Sequence, residues 1–134
     1  MLEHFLDAQA GVYDLVLREL RAGEKQSHWM WFIFPQLKAL GRSDTAKHFG
    51  LADLDDAKAY ATHPVLGVRL RECVNLANAV EGKSANDIFG SPDDLKFRSC
   101  LTLFARATGG DIFRAALAKY YGAEDPLTLA ELTR

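Results

Sequence analysis

Apolar and polar residues along this chain recur with a period close to 3.6, which is typical of amphipathic α-helices. From Leu2 to Ala22 one apolar stripe repeats at three- and four-residue steps, and Gly23 follows where a left-handed residue ends a helix. Further stripes run from Leu66 to Ala77 and from Pro92 to about Thr108. The pattern predicts three long helices.

Between these stripes lie shorter segments, each with a capping residue, a short helical stretch and a residue that ends the helix. Side chains suited to N-capping precede them: Ser43, Asp55, Ser84 (with Asp87 three residues on), Ser91, Asp111 and Asp125. No alternating strand pattern or tight hairpin signal interrupts the series. We therefore predict an all-α fold, a compact, single-domain, orthogonal bundle of about six to eight helices over residues 1–134.

The densest apolar run lies within Ser27–Leu37. Its residues favour strands by propensity, but a lone strand would have no partner, so we predict a buried helix. A helix that is apolar all round is usually part of the core. The alternative is that Trp29 or Trp31 forms the wall of a ligand pocket, with His28 and Gln36 supplying polar groups at its edge.

Composition and charge narrow the class of protein. With 134 residues, 49% of them hydrophobic, the chain can bury one sizeable core. A net charge of -2 provides no general electrostatic attraction to nucleic acid, so no nucleic-acid partner is expected. The N-terminus lacks a signal-peptide pattern and no apolar run is long enough to span a bilayer, so we expect a cytoplasmic protein without a membrane partner.

Cysteine usage gives no indication of a metal site. Cys73 and Cys100 are far apart in sequence, and neither belongs to a CxxC or to a Cys/His cluster with zinc spacing. We expect two reduced, buried thiols and no bound metal. The sequence specifies neither an oligomeric state nor a cofactor.

A polar stripe follows one side of the 92–108 helix. It comprises Lys96, Ser99, Thr102 and Arg106. The stripe is either a solvated face or the lining of a cleft that receives an anionic small molecule, since lysine offers charge and hydroxyls offer directed hydrogen bonds. Asp93, in the first turn, opposes an anion at that end of the helix.

The segment from His63 to Leu70 has two features of its own. His63 either caps or packs against the helix that follows, or lies at the edge of a ligand site. Gly67 is placed early in that helix, where glycine costs about 1 kcal/mol relative to alanine. It therefore indicates close approach by another backbone or by a ligand.

No catalytic signature is present, because the sequence lacks a phosphate-binding glycine-rich loop, an HExxH motif and a nucleophile elbow. Whether the protein is an enzyme is left open. If it is one, His28 or Asp93 is the best candidate for an acid or base.

Several stretches together resemble a known family. They are Ser27–Leu37, Leu40–Ser43, His63–Gly67 with Arg69 and Leu70, Ile88–Gly90, and Asp93–Lys96 with Ser99 and Thr102–Phe104. The chain resembles the uncharacterised family known as domain of unknown function 1810, which implies a compact all-α domain and no established activity. Some members carry the label calpastatin. That label implies a long disordered inhibitor, which does not fit a half-hydrophobic chain with regular helix signals.

Two functional hypotheses follow. In the first, a cleft between the Trp-rich segment and the 92–108 helix binds, and in an enzyme turns over, a polar anionic or nucleotide-like small molecule. The candidate ligand-binding residues are His28, Trp29, Trp31, Gln36, His63, Asp93, Lys96, Ser99, Thr102 and Arg106. In the second, the protein is a non-enzymatic protein–protein interaction module whose exposed aromatic patch docks a partner.

Overall fold

The structure, a computed structural model, describes residues 2–134. Within that range it contains ten α-helices, one 3-10 turn and no β-strand. In chain order these are α1 (Glu3–Gln9), α2 (Tyr13–Ala22), α3 (Met30–Ile33), the 3-10 turn (Lys38–Leu40), α4 (Asp44–His48), α5 (Leu54–Thr62), α6 (Leu66–Ala79), α7 (Ala85–Phe89), α8 (Asp93–Thr108), α9 (Asp111–Tyr120) and α10 (Pro126–Leu132). The predicted all-α bundle is confirmed, with more helices than the six to eight expected.

One extra helix arises where the stripe from Leu2 to Ala22 is broken. The sequence predicts one continuous helix there, but Gly11 adopts a φ of 79°, a left-handed conformation that a right-handed helix cannot continue through. The break turns the buried Gln9 side chain inward. Its amide donates to the carbonyl of Phe32 at 2.8 Å and accepts from Arg69 at 3.1 Å.

Helix α8 lies at the centre of one continuous hydrophobic core and packs against α5, α7, α9 and α10. Its fully buried face includes Phe97, Leu101 and Phe104. The ring of Phe34 meets that of Phe97 edge-on, with centroids 4.8 Å apart. The Trp-rich segment is thereby fixed to the central helix.

The Trp-rich segment is helical, as predicted, but only over the four residues of α3. Trp29 is 1% exposed, and Met30, Ile33 and Phe34 are equally enclosed. Trp31 and Phe32 are half-buried. The segment is therefore mostly core, and Trp31 is the tryptophan that lies nearer the surface.

The helix starts follow local capping chemistry with three corrections. The predicted caps Ser43, Ser84 and Asp125 each accept a backbone N–H of the next turn, and Ser84 with Asp87 forms a full capping box. Asp55 does not cap α5; the helix begins at Leu54, two residues before the predicted start, and Asp53 caps it by accepting the N–H of Asp56 at 2.9 Å. Asp111 and Ser91 make no cap bond either, because α9 begins at Asp111 itself and α8 only after Pro92.

Helix α8 is the longest, with 16 residues, so its axis measures about 24 Å. A bilayer's hydrocarbon core is about 30 Å thick. Between residues 2 and 134 no helix has the length and apolar character to cross a membrane.

Candidate functional site

A cleft of about 680 Å³ opens between the segment leading into α4 and the first turns of α8. The first wall consists of Gln36, Ala39, Leu40, Arg42, Ser43 and Ala46. The second consists of Pro92, Leu95, Lys96 and Ser99 of the α8 region, with Leu127 of α10. This cleft shares the α8 wall with the predicted one, but its other wall contains only Gln36 of the Trp-rich segment. Of the predicted residues, Gln36, Lys96 and Ser99 line it.

The first wall is held in place by a short backbone ladder. Leu51 N donates to Gln36 O at 3.0 Å, and Lys38 N donates to Leu51 O at 2.8 Å, so Leu37 and Leu51 form an isolated parallel bridge. Gly50 permits this approach, since a Cβ there would lie 2.4 Å from the Cα of Lys38. The bridge sets where Gln36 and the 3-10 turn stand relative to the core.

The second wall is one face of α8. Leu95 and Ser99 lie four residues apart, and Lys96 lies three before Ser99, so their side chains share a face. Leu95 is 59% exposed and Leu127, across from it on α10, is 66% exposed. Large aliphatic side chains therefore border the opening on this side.

Ser99 is tied to a buried polar network beneath the cleft. Its hydroxyl lies 2.8 Å from Oδ2 of Asp125, which also accepts from the hydroxyl of Thr128 at 2.5 Å. The backbone N–H of Asp125 donates to Thr102 Oγ1 at 2.8 Å. Because a hydroxyl has one hydrogen, the Ser99 hydroxyl donates to Asp125 and retains only acceptor capacity. This network joins α10 to α8.

Lys96 lies between a carboxylate, that of Asp93, and an aromatic ring, that of Trp31. Its Nζ lies 3.5 Å from Asp93 and 5.0 Å from the centroid of the Trp31 ring. Asp93 makes a closer pair with Lys25, at 2.7 Å. One carboxylate thus faces two ammonium groups, so Asp93 neutralises the charge of Lys96 only in part.

The indole of Trp31 has an unusual environment. Its Nε1 is buried, yet it makes no hydrogen bond to any residue between 2 and 134. The ammonium group of Lys96 lies over the ring, a favourable position for a cation. Trp31 therefore supports Lys96 from behind and does not itself line the cleft.

Arg42 supplies the second positive charge and was not among the predicted site residues. It is exposed, and within the described part of the chain its guanidinium has neither an ion-pair nor a hydrogen-bond partner. The sequence signal was its position inside the Leu40–Ser43 stretch that carries the family resemblance. Arg42 is accordingly available to an anion, whereas Lys96 is partly neutralised by Asp93.

Trp29 and His28 lie away from this cleft. The indole N–H of Trp29 donates to Glu19 at 3.0 Å inside the core. The same carboxylate accepts the backbone N–H groups of Gln26 and Ser27 and the hydroxyl of Ser27. Burial alone would raise the pKa of Glu19, but these hydrogen bonds outweigh it and lower the pKa to about 2. His28 is exposed at the surface.

His63 and Gly67 act in the packing of α6. Nδ1 of His63 accepts the backbone N–H groups of Val65 and Leu66, at 3.1 and 3.2 Å, and so caps the helix. A Cβ on Gly67 would lie 2.1 Å from the carbonyl oxygen of Ala61. The close approach expected at Gly67 is therefore made by another backbone.

The last two predicted residues lie further along α8, outside the cleft. Thr102 is fully buried beneath the loop that carries Asp125. Arg106 forms a bidentate pair with Glu124, at 2.7 and 2.8 Å. A role for Thr102 or Arg106 in ligand binding stays a prediction.

Side chains that could bind a metal are dispersed in this fold. Across residues 2–134 no three of His, Cys, Asp or Glu are grouped in a way that could hold an ion. The two candidate acid–base residues are separated as well: Asp93 is paired with lysines at the cleft, and His28 is on the surface. A second cavity, of about 310 Å³, is acidic and contains none of the predicted residues.

The fold and the cleft define a small all-α protein with a cleft lined by two basic and several aliphatic side chains. A family model described as "Protein of unknown function (DUF1810)" matches residues 1–132, and the chain belongs to that family. The structure is similar to the crystal structure of the conserved hypothetical protein Rv1873 from Mycobacterium tuberculosis, with a TM-score of 0.97 and 54% identity. The match covers 99% of this chain and 96% of that one. Comparison with curated proteins gave no match.

Proposed function

We propose that this protein binds a small organic anion in the cleft between the segment 36–46 and the first turns of α8. The observation that carries the proposal is that two basic residues, Arg42 and Lys96, stand on opposite walls of the cleft. Within the described chain, the lining contains no carboxylate that would neutralise them. The volume of about 680 Å³ suits a ligand of metabolite size. Gln36 and Ser43 add neutral polar groups that can orient it.

The structure favours this proposal over the interaction module. That alternative requires an exposed aromatic patch, whereas the large exposed hydrophobic residues between 2 and 134 are Val65, Val68, Leu95 and Leu127. None of these is aromatic, and the two leucines flank the cleft. Their exposure is better explained by a ligand that covers them than by a separate docking surface.

Two broader proposals accompany the first. We propose a cytoplasmic location, supported by two free cysteines that are both buried and unpaired in residues 2–134. We also propose that nucleic acid is not the partner, supported by the net charge of -2 and by the small size of the positive region.

A thermal-shift screen with nucleotides, sugar phosphates, organic carboxylates and inorganic phosphate tests the binding proposal. A ligand present at 100 times its Kd stabilises the folded state by about 2.7 kcal/mol, which raises Tm by roughly 6–10 °C for a chain of this size. We expect at least one anion to give a shift of this kind. Arg42→Ala and Lys96→Ala should each reduce it to a third or less without lowering the Tm of the free protein by more than a few degrees.

Matched controls keep the result specific. Arg18→Ala and Lys58→Ala remove the same side chains from exposed positions outside the cleft, and they should leave the shift unchanged. A shift that survives both cleft substitutions would overturn the proposal. So would the lack of a shift from every anion in the screen with a folded sample.

A further inference from the structure

The lining of the cleft shows what kind of anion it fits. Six of its residues are apolar: Ala39, Leu40, Ala46, Pro92, Leu95 and Leu127. All six are non-aromatic, and no aromatic ring from residues 2–134 takes part in the lining. Because the walls are aliphatic, they match a flexible hydrocarbon body better than a flat ring.

A nucleobase would need a stacking partner that the cleft does not offer. Bases bound by proteins stack on aromatic faces, at about 1–3 kcal/mol for each base. Trp31 contacts the lining residue Lys96, but the ammonium group of Lys96 lies over its ring, 5.0 Å from the centroid. Opening that face would separate Lys96 from its ring while the anion needs Lys96 in place. The nucleotide-like ligand is therefore the less favoured member of the anion class.

The exposed leucines indicate where the ligand's body lies. Leu95 and Leu127 project from different helices, are 59% and 66% exposed, and both border the cleft. Burying such side chains against a hydrocarbon is favourable in proportion to the area removed from water. Arg42 lies on the opposite wall, next to Ser43. A ligand with an anionic head at Arg42 and an alkyl chain against the two leucines would pair with the charge on one wall and bury the apolar side chains on the other.

We infer that the ligand of this cleft is an aliphatic oxyanion, an alkyl or acyl chain of modest length that carries a carboxylate or phosphate head. The inference rests on the proposed function and deepens it by naming the ligand class. Guanidinium groups bind carboxylates and phosphates alike through two parallel hydrogen bonds, so the head is defined by its charge and its paired oxygens.

The test is isothermal titration calorimetry of the full chain with five probes. Octanoate and octyl phosphate carry both chain and charge, octanol carries the chain alone, and inorganic phosphate and adenosine monophosphate carry charge without a chain. Each amphiphile is kept below its critical micelle concentration. We expect octanoate or octyl phosphate to bind at least tenfold more tightly than the other three probes, and the stronger of the two identifies the head.

Substitutions on the two walls separate the contributions. Leu95→Ala combined with Leu127→Ala should weaken octanoate or octyl phosphate about tenfold while leaving the weak binding of inorganic phosphate unchanged. Val68→Ala is the matched control, because Val68 is 63% exposed on α6, outside the cleft, and it should have no effect. An effect of Val68→Ala equal to that of the leucine pair would overturn the inference, since binding would then follow surface hydrophobicity in general.

Failure of the inference and failure of the proposed function give different results. If adenosine monophosphate or inorganic phosphate binds as tightly as the octyl probes, and Arg42→Ala abolishes that binding, the aliphatic class is wrong and the anion site stands. If octanol binds as well as octanoate and octyl phosphate, charge does not contribute and both are wrong. If no probe binds, the inference is wrong, and the thermal-shift screen with its wider set of anions decides the proposed function.

Discussion

At the scale of single residues, Glu19 shows how one side chain fixes a non-helical segment. It projects from α2 and is only 8% exposed, yet it binds four groups of the stretch from Gln26 to Trp29. Those partners lie seven to ten residues downstream, beyond the end of the helix. Helical periodicity describes neighbours three and four residues apart, so it could not have revealed this role.

Glu19→Gln should destabilise the protein by roughly 2 kcal/mol at pH 7, because a neutral amide accepts these hydrogen bonds less strongly. The folded-state pKa of about 2 lies below the ordinary value of 4.5. The contribution of the ionised carboxylate is thus complete above pH 4.5 and is lost as the pH falls toward 2. Urea denaturation of both proteins at pH 7, 4 and 3 should show the difference shrinking with pH.

The control for that series is Glu81→Gln, which changes the same group at an exposed position. It should shift the urea midpoint little at any pH. A Glu19→Gln difference that stays constant from pH 7 to pH 3 would show that packing, and not the charge, is responsible.

At the scale of secondary-structure elements, the placement of α10 depends on one carboxylate. Asp125 caps α10 through Thr128 and at the same time binds Ser99 of α8, while its own N–H reaches Thr102. A single residue therefore starts one helix and docks it on another. Leu127, on the outer side of α10, is held at the cleft by this attachment.

Asp125→Ala should destabilise the protein by about 2–3 kcal/mol, because it removes a cap and leaves two buried hydroxyls with fewer partners. Hydrogen exchange should accelerate in α10 more than in α2. Asp111→Ala removes an acid that makes no cap bond at the start of α9, so it should cost only a few tenths of a kcal/mol. Equal losses in the two variants would contradict the docking role.

Comparison of the helices with the candidate site shows how far the sequence could predict each of them. Periodicity and caps identify the helices, because both depend on residues a few positions apart. The spacing on α8 predicts one continuous polar surface, but only Lys96 and Ser99 of that stripe line the cleft. The loop before α10 covers Thr102 and Glu124 pairs with Arg106. These contacts span 18 to 23 residues, so no local pattern could show which part of the stripe stays open.

At the scale of the whole molecule, the core built around α8 encloses both cysteines. Cys73 and Cys100 are each fully buried. Burial raises the pKa of Cys73 to about 12 and that of Cys100 well above its ordinary value. Both thiols are therefore neutral in the folded protein at neutral pH, and reagents that require a thiolate cannot reach them.

Their reaction with a disulfide reagent should report opening of the entire core. In native buffer at pH 8 we expect both thiols to react at least ~1,000-fold more slowly than in urea, because exposure of either requires unfolding. The two single-cysteine variants, Cys73→Ala and Cys100→Ala, measured by absorbance under sub-denaturing urea, should react at the same rate. Rapid modification of one thiol in native buffer would mean that α6 or α8 opens on its own.

The backbone bridge between Leu37 and Leu51 has a consequence for how this family can diversify. Leu37 and Leu51 both belong to the core, and the bridge between them fastens the two ends of the intervening segment to each other. The segment 38–50, which includes Arg42, is therefore an insert whose two ends are joined by the bridge, and it forms most of one wall of the cleft. Evolution can therefore vary the exposed residues of this insert and alter the chemistry of the cleft from one descendant to another, while the helices beneath keep their arrangement.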